Sequence, residues 1–581
     1  MRPVQYTNHP YILKTCRGSL RGVEQRTASG EPILYRFTKV PYALPPVGPR
    51  RWRRPHSLPS DFSFEEDSSP GSGSGSGSRQ PGDYTHFGPI CPQPHYAHDG
   101  VFVDNPAAAP PIDNVQDEDC LYLNIWVPAG GSSAPPPKQG WPVQVHIHGG
   151  WLQVGNAMQD HQHDPFDLIK DVTPRIIVSP TYRLNLFGFL AGDELASLHE
   201  EPAPSNFGLW DQRCALEWVA RYIGLFGGNA DNITVGGLSA GANSTFFQLN
   251  YDSMLPPSQR LIQRVYLWSN AVAIQPNATN APVLTSQFNE LCSLFNIPSS
   301  STPAEKLSRL RAIPFQDLVT ANTKMKMHTF RSSTDNAFIL PTFLSSLHSG
   351  SFTTRLAQNG TSVLLGEVSD EKELYKFVNP PSDYPGLLLQ LANYYPKPVL
   401  EALLKIYDLP PQNSTDANAW AEVFSQIVAD NQVHASIRGL THLLLNPPSH
   451  PNVTPLPQSR VQRYRVAWRA KSQDDWVKPE VGVCHGGDMP LWWASAWRQD
   501  FQETDKEATK KFLEPFAQFL CGEEVNWGCT GEDRLRLLDK DGSVKENVKD
   551  ELWERGMQVF NTVWEAQKGT VVKDTSLDSR L

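Results

Sequence analysis

A serine flanked by two glycines is the clearest sign of chemistry in this chain of 581 residues, in the segment 237–241 with the sequence Gly-Leu-Ser-Ala-Gly. The spacing Gly-x-Ser-x-Gly is typical of hydrolases that hold a nucleophilic serine on a sharp turn between a strand and a helix. A β-branched stretch, 232–235, precedes the turn, and a predicted buried helix opens at 242–249. We therefore expect a strained turn that presents the hydroxyl of Ser239 as a nucleophile. The alternative is an ordinary loop of glycine and serine.

Such a serine needs a histidine as general base and a carboxylate to orient that histidine, because an unperturbed hydroxyl is a poor nucleophile at neutral pH. In α/β-hydrolases both partners follow the serine, the acid first and the histidine last. Of the six histidines after Ser239, only His485 lies in a glycine-rich loop, 482–488, downstream of a strand-like stretch at 464–468. The other five lie in helix-like or proline-rich stretches, which are more typical of solvated or packed side chains: His328, His348, His434, His442 and His450.

Candidate acids follow a second strand-like stretch. The residues Val-Leu-Leu-Gly at 363–366 are typical of a buried strand, and Glu367, Asp370 and Glu371 come directly after it. A carboxylate just beyond the end of a strand is well placed to reach a histidine on a neighbouring loop. The residues alone leave the choice among these carboxylates open.

At this point the chain resembles a known family, the type-B carboxylesterases, which include cholinesterases, fungal lipases and bacterial para-nitrobenzyl esterases. The most recognisable match is Glu-Asp-Cys-Leu-Tyr-Leu-Asn at 118–124. The resemblance covers nearly the whole chain and implies an α/β-hydrolase fold, with a large, mostly parallel central sheet flanked by helices. Further matches occur in the family's order at 40–43, 45–48, 148–150, 182–184, 211–212 and 226–229.

The resemblance also implies a role for each candidate. Ser239 is similar to the nucleophile, His485 to the general base and acid, and Glu371 to the orienting carboxylate, with Asp370 as the nearest alternative acid. The family forms an oxyanion hole from backbone amides, and these correspond to Gly150, Trp151 and Ala240. Donors of this kind stabilise the oxyanion of the transition state by several kcal/mol.

The chain departs from the family pattern at three positions near these residues. Trp151 stands where the third glycine of the oxyanion loop is usual, so an indole could narrow the acyl pocket or tilt the loop. Leu238 replaces the glutamate that precedes the nucleophile in cholinesterase-like members. Lys372 replaces the glycine after the acid, which is expected to change loop conformation more than chemistry.

The implied activity is hydrolysis of a small or medium organic ester by acyl transfer through a covalent intermediate. A lipase of the same fold is one alternative. A catalytically silent binding protein is another, although relatives of that type typically lose the serine. Three tryptophans could either line an apolar gorge or pack in the core: Trp151, Trp492 and Trp493.

We expect no cofactor and no metal. The histidines at 146 and 148, and the segment 161–164 (His-Gln-His-Asp), have metal-like spacing, but same-face histidines arise easily at a strand end and the ligand count is not met. The Gly-Ser alternation at 71–78 lacks the strand and helix of a phosphate-binding loop. It is therefore interpreted as a flexible linker.

Composition favours one catalytic domain over residues 1–581, with a Gly/Ser insertion at 68–83 and a loose tail at 568–581. A hydrophobic content of 39% is enough for a large core. The net charge of −10 argues against nucleic acid and anionic membrane surfaces, and no apolar run is long enough to span a membrane. The stretch 544–567 is predicted as an amphipathic helix and as a candidate homodimer contact.

Signals of location disagree. The first six residues have no apolar core, and the chain ends in Ser579-Arg580-Leu581, a variant of a peroxisomal address, so we expect the peroxisome or the cytosol. The resemblance implies a disulfide between Cys91 and Cys120, which favours secretion from a longer precursor. Glycosylation tripeptides favour secretion too, although such tripeptides are common by chance and the one at Asn243 would lie in the predicted catalytic helix; the other five are at Asn232, Asn277, Asn359, Asn413 and Asn452.

Overall fold

The structure is a computed structural model. The Gly/Ser tract at 68–78 and the tail at 569–581, which includes the terminal Ser-Arg-Leu, lie outside the described residues. None of the described helices is both long and apolar enough to cross a membrane. The described residues are 6–67, 79–95, 115–130, 135–200, 205–272, 275–278, 280–495, 501–523, 525 and 527–568.

Within these residues fourteen strands form one sheet, in the order β14-β13-β12-β11-β10-β9-β7-β8-β6-β3-β2-β5-β4, with β1 also paired to β2. The strands are β1 Tyr6–Thr15, β2 Gly18–Thr27, β3 Pro32–Pro41, β4 Glu65–Asp67, β5 Arg79–Asp83, β6 Tyr122–Pro128, β7 Trp141–Ile147, β8 Ile176–Pro180, β9 Gly228–Leu238, β10 Arg264–Trp268, β11 Ser362–Val368, β12 Val461–Val466, β13 Arg534–Leu538 and β14 Val544–Lys549.

Helices cover the sheet. They are α1 Phe166–Asp171, α2 Asn185–Phe189, α3 Asp193–Ser197, α4 Phe207–Tyr222, α5 Ala240–Met254, α6 Pro282–Leu294, α7 Pro303–Arg311, α8 Phe315–Lys324, α9 Phe343–His348, α10 Ser351–Asn359, α11 Lys372–Tyr375, α12 Tyr384–Ala392, α13 Lys397–Leu403, α14 Ala417–Ala429, α15 Ser436–Leu445, α16 Met489–Trp492, α17 Glu503–Cys521 and α18 Trp553–Gln567. A π-helical turn, Asp430–Ala435, joins α14 to α15.

The centre of the sheet is parallel. Neighbouring strands run parallel from β8 through β7, β9, β10, β11 and β12 to β13. Parallel strands covered by helices on both faces are apolar along their whole length, and six of the seven residues of β11 are buried. The predicted large, mostly parallel sheet flanked by helices is confirmed.

This topology brings together the three segments that the sequence singled out. Ser239 follows β9, Glu371 follows β11 and the loop of His485 follows β12. Only β10 separates the first two strands, and β11 pairs directly with β12. Ligand-binding residues of parallel sheets collect at the carboxyl ends of the strands, which is the edge where all three residues lie.

The prediction of one helix over 544–567 is wrong in its first part. Residues Val544–Lys549 form β14, which pairs antiparallel with β13, and the helix begins at Trp553. The strand is mostly exposed at the edge of the sheet. The sequence of β14 therefore lacks the regular spacing of apolar residues that distinguishes a strand from a helix.

The disulfide that the resemblance implied is present between Cys91 and Cys120. The bond links residues 29 apart in sequence, and both are buried. A crosslink of this span stabilises a fold by about 3–4 kcal/mol in the chain-entropy model, since it restricts the unfolded chain.

A buried cluster of charges ties the acid-bearing side of the sheet to the C-terminal segment. Glu367, at the end of β11, accepts hydrogen bonds from Arg438 and Arg465, each at 2.7 Å. Asp550, between β14 and α18, accepts from Arg438 at 2.8 Å, from Arg463 at 2.5 Å and from Arg465 at 2.7 Å. Loss of one carboxylate would leave buried guanidinium groups uncompensated, which typically costs 3–5 kcal/mol.

Candidate active site

The turn between β9 and α5 holds Ser239 in a strained conformation. Its φ of 58° and ψ of −125° lie outside the regions that residues with a side chain normally adopt. A Cβ atom added to Gly237 or Gly241 would lie 2.3 Å or 2.1 Å from the Ile147 carbonyl oxygen. Both glycines are therefore required by the close approach of β7, as the spacing predicts.

The histidine loop brings His485 onto Glu371. The Nδ1 atom of His485 lies 2.5 Å from Oε2 of Glu371, and both side chains are buried. The other carboxylate oxygen of Glu371 accepts a hydrogen bond from the Val368 amide at 3.0 Å. The Nε2 atom of His485 is buried and has no hydrogen-bond partner within the described residues, so it is the ring nitrogen available to a reacting group.

Asp370, the alternative acid, is engaged elsewhere. Its Oδ2 atom accepts hydrogen bonds from the Val483 amide at 3.0 Å and from the Ser369 hydroxyl at 2.5 Å. Asp370 therefore binds the backbone of the histidine loop, whereas Glu371 binds the imidazole.

Two close contacts connect the serine turn to the loops around it. A Cβ atom added to Gly486, the residue after His485, would lie 3.5 Å from Cδ2 of Leu238, the residue before Ser239. A Cβ atom added to Gly149 would lie 3.2 Å from Cβ of Ser239. The turn thus packs between the histidine loop and the predicted oxyanion loop.

The predicted oxyanion loop makes a tight turn beside the serine. The carbonyl of Gly150 accepts from the amides of Gln153 at 2.8 Å and Val154 at 3.0 Å, and Gly150 has a φ of 105°. Ala240 is the first residue of α5, so its amide has no acceptor within the helix. The positive end of the α5 dipole therefore also lies at Ser239.

The three departures from the family pattern are accommodated locally. Trp151 has a φ of 56°, and its partly buried indole packs against a hydrophobic cluster that includes Tyr375. Lys372 opens α11 and forms an ion pair with Glu422. Leu238 packs against the hydrophobic cluster that contains Trp268 and Trp492.

Trp492 and Trp493 follow the core alternative. They are 1% and 0% exposed, and the rings of Trp492 and Trp268 stack with centroids 4.5 Å apart. Trp492 is the last residue of α16, the helix that follows the histidine loop, and Trp493 comes directly after it.

The histidines with metal-like spacing have protein partners. The ring of His148 stacks on Tyr182 with centroids 4.3 Å apart, and burial lowers the pKa of His148 to about 4. His146 bonds the Tyr266 hydroxyl at 3.0 Å, and His163 bonds Asp160 at 2.7 Å. No group of three or more metal-ligating side chains occurs in the part of the chain that the structure describes.

Sequence reasoning missed two groups beside His485. The Tyr375 hydroxyl lies 3.4 Å from Nδ1 of His485. Asp488 accepts from the Trp492 indole at 2.7 Å, and burial raises the pKa of its carboxyl to about 7. Each follows a predicted residue by three or four positions, a helical spacing that could have found them.

The other histidines make separate contacts. His434 bonds Glu367 at 2.8 Å, and His442 bonds Glu532 at 2.8 Å. The ring of His348 stacks on Trp564. The structure brings none of these rings to Glu371.

The topology and the serine on its strand–turn–helix define an α/β-hydrolase. The model of a family described as "Carboxylesterase family" matches residues 9–528. The chain therefore belongs to the carboxylesterase family, and it is a carboxylic ester hydrolase of the serine carboxylesterase type.

Relatives of similar length agree with this family. An uncharacterized esterase/lipase of Schizosaccharomyces pombe is 41% identical over 551 residues, which cover 94% of this chain and 95% of that protein. A carboxylic ester hydrolase of Gibberella moniliformis is 34% identical over 574 residues, 97% of this chain and 98% of that protein. A third relative matches over only part of its length. The juvenile hormone esterase of Tribolium castaneum is 32% identical over 283 residues, 47% of this chain and 40% of that protein.

Proposed function

We propose that the enzyme hydrolyses small or medium carboxylic esters with a Ser-His-Glu triad of Ser239, His485 and Glu371. The observation that carries the proposal is the 2.5 Å contact between His485 Nδ1 and Glu371 Oε2, on a loop that packs against the turn of Ser239. A carboxylate at Nδ1 fixes the tautomer in which Nε2 accepts a proton.

The reaction would proceed in two acyl transfers. Ser239 Oγ attacks the ester carbonyl carbon while His485 Nε2 takes its proton, and Glu371 stabilises the imidazolium that forms. His485 then protonates the departing alcohol, which leaves an acyl group on Ser239. Water repeats the sequence and releases the acid. The negative charge on the carbonyl oxygen would be stabilised by the amides of Gly150, Trp151 and Ala240.

The first experiment measures hydrolysis of para-nitrophenyl esters from acetate to palmitate. We expect an optimum at short or medium acyl chains and loss of turnover in Ser239→Ala. Ser269→Ala is a matched control, because Ser269 is a buried serine one residue beyond β10 and has no place in the proposed mechanism. Turnover that survives in Ser239→Ala would overturn the assignment of the nucleophile.

The same series decides between the remaining alternatives. An optimum at long acyl chains would favour a lipase, and the Schizosaccharomyces pombe relative is described as an esterase/lipase. Absence of turnover at every length, together with failure of a fluorophosphonate probe to label Ser239, would favour a silent binding protein.

A further inference from the structure

Arg331 is a buried arginine without a carboxylate partner in the described chain. Its side chain donates hydrogen bonds to the Tyr394 carbonyl and, at 3.2 Å, to Asn277 Oδ1. A guanidinium group has five N–H donors. The remaining donors have no acceptor among the described residues, although Arg331 is only 5% exposed.

Most buried arginines of the described residues face a carboxylate, since an uncompensated guanidinium loses its hydration. The exception besides Arg331 is Arg175, which donates to Gln144 Oε1 at 2.7 Å and to the Thr173 carbonyl at 3.1 Å. Arg175 directly precedes β8, so it lies at the amino-terminal ends of the parallel strands, whereas Ser239 lies at their carboxyl ends. The paired arginines include Arg51 with Glu118, Arg183 with Asp211, and Arg213 with Asp252.

Arg331 remains a cation at neutral pH. Burial lowers the pKa of its guanidinium to about 10, which is still well above neutrality. A cation in a weakly polarisable surrounding attracts an anion more strongly than the same cation at the surface.

The residue before Arg331 is hydrogen-bonded to the oxyanion loop. The preceding residue, Phe330, bonds Gln153 through both backbone groups: its amide donates to Oε1 at 3.1 Å, and its carbonyl accepts from Nε2 at 2.6 Å. The same Nε2 atom donates to the Trp151 carbonyl at 2.9 Å. A single glutamine side chain therefore joins the segment of Arg331 to the loop beside Ser239.

The side chain of Arg331 contacts the segment of the tyrosines near His485. Its bond to the Tyr394 carbonyl places it next to Tyr395, which shares a hydrophobic cluster with Tyr375. Tyr375 in turn contacts His485. Trp151 packs on the same cluster, so contacts connect the segment of Arg331 both to the loop beside Ser239 and to the tyrosine beside His485.

We propose that Arg331 is the anchor of a subsite for a carboxylate carried by the ester substrate, so that the preferred substrates are half-esters of dicarboxylic acids or esters of a hydroxy acid. The inference rests on the proposed function and adds the substrate class. A carboxylate accepts two parallel hydrogen bonds from a guanidinium group. The N–H donors of Arg331 that have no acceptor among the described residues could therefore bind the carboxylate of a substrate.

The test compares para-nitrophenyl hydrogen glutarate with para-nitrophenyl valerate, two esters of similar size that differ by the terminal carboxylate. In Arg331→Gln we expect the ratio of kcat/KM, glutarate over valerate, to fall about 10- to 100-fold, the range of a charge-assisted hydrogen bond. Arg331→Lys should recover part of the ratio, and Arg175→Gln should leave the ratio as in the wild type. An unchanged ratio in Arg331→Gln both for this pair and for 3-acetoxybenzoate over phenyl acetate, or an equal fall in Arg175→Gln, would overturn the proposal.

A second pair of esters locates the carboxylate. If 3-acetoxybenzoate is preferred over phenyl acetate and the glutarate ester is not preferred over valerate, the subsite receives the alcohol portion; the reverse result assigns the acid portion. Preference for the neutral ester in both pairs contradicts the proposal.

Wild-type enzyme gives a readout that does not depend on folding of a variant. The stronger of two carboxylate-bearing competitors, monomethyl glutarate or 3-acetoxybenzoate, should compete with para-nitrophenyl acetate at least tenfold more strongly than its neutral counterpart, methyl valerate or phenyl acetate, and weaker competition by both would contradict the subsite. Failure of the proposed function is distinguishable, since it appears as no turnover of any ester or as turnover that survives Ser239→Ala.

Discussion

Asp370 and Val483 exchange two hydrogen bonds between the acid loop and the histidine loop. The Asp370 amide donates to the Val483 carbonyl at 3.1 Å, and the Val483 amide donates to Asp370 Oδ2 at 3.0 Å. Asp370 precedes Glu371 directly, and Val483 precedes His485 by two residues. The exchange therefore sets the register in which the carboxylate of Glu371 meets the imidazole of His485.

Two substitutions separate the roles of the neighbouring acids. Glu371→Gln should lower kcat about 10⁴-fold, because an amide no longer favours the tautomer with a basic Nε2. Asp370→Asn keeps an oxygen acceptor for the Val483 amide, so its loss should stay within about tenfold. Steady-state kinetics on one para-nitrophenyl ester measures both, and a loss in Asp370→Asn that equals that of Glu371→Gln would contradict the assignment.

Replacement of Trp151 should widen the range of acyl groups accepted. Trp151→Gly removes the indole of the proposed oxyanion loop and suits a φ of 56°, a conformation that glycine adopts without strain. We expect kcat/KM for octanoate to rise relative to acetate in a para-nitrophenyl series. An unchanged chain-length profile, in protein whose thermal unfolding shows that it is folded, would mean that the indole does not limit the acyl pocket.

The turn that carries Ser239 should not tolerate a methyl group at Gly241. In Gly241→Ala the new Cβ atom would lie 2.1 Å from the Ile147 carbonyl oxygen, so β7 and the turn must separate. Gly224→Ala is the matched control, because nothing lies within 4 Å of its added Cβ atom. We expect loss of most activity and a lower Tm in Gly241→Ala, and values near wild type in Gly224→Ala. Wild-type kcat in Gly241→Ala would disprove the steric argument.

The carboxyl of Asp488 should make stability depend on pH. Burial raises its pKa from 3.8 to about 7 in the folded enzyme. The folded state therefore binds this proton more tightly than the unfolded state, and stability is lost as the pH rises between these two values. Asp488→Asn removes this titration.

Urea unfolding at pH 5 and pH 8 measures the effect. Relative to the wild type, Asp488→Asn should be more stable at pH 8 than at pH 5, which means that its free energy of unfolding rises relative to that of the wild type. Between pH 5 and pH 8 the effect has an upper limit of about 3 kcal/mol, because stability is lost only up to the folded pKa of about 7. The same relative stability at both pH values would show that Asp488 does not titrate in this range.

The local conformations around Ser239 and His485 could be predicted because the glycines beside each residue indicate them. Glycines beside Ser239 are required by the approach of β7, and glycines around His485 allow the loop to fold over the strand ends. Arg331 could not be predicted, since its position depends on contacts between segments far apart in the chain. The edge strand at 544–549 was misread because exposed residues leave little periodic signal.

The buried charge cluster has a consequence for synthesis of the protein. Because chains are made from the N-terminus, Glu367 leaves the ribosome first, Arg438, Arg463 and Arg465 follow it, and Asp550 emerges 85 residues after Arg465. Until Asp550 emerges, three cations share a single carboxylate, and their burial is unfavourable. The edge of the sheet that carries Glu371 and His485 should therefore become stable only late in translation, when the C-terminal segment arrives.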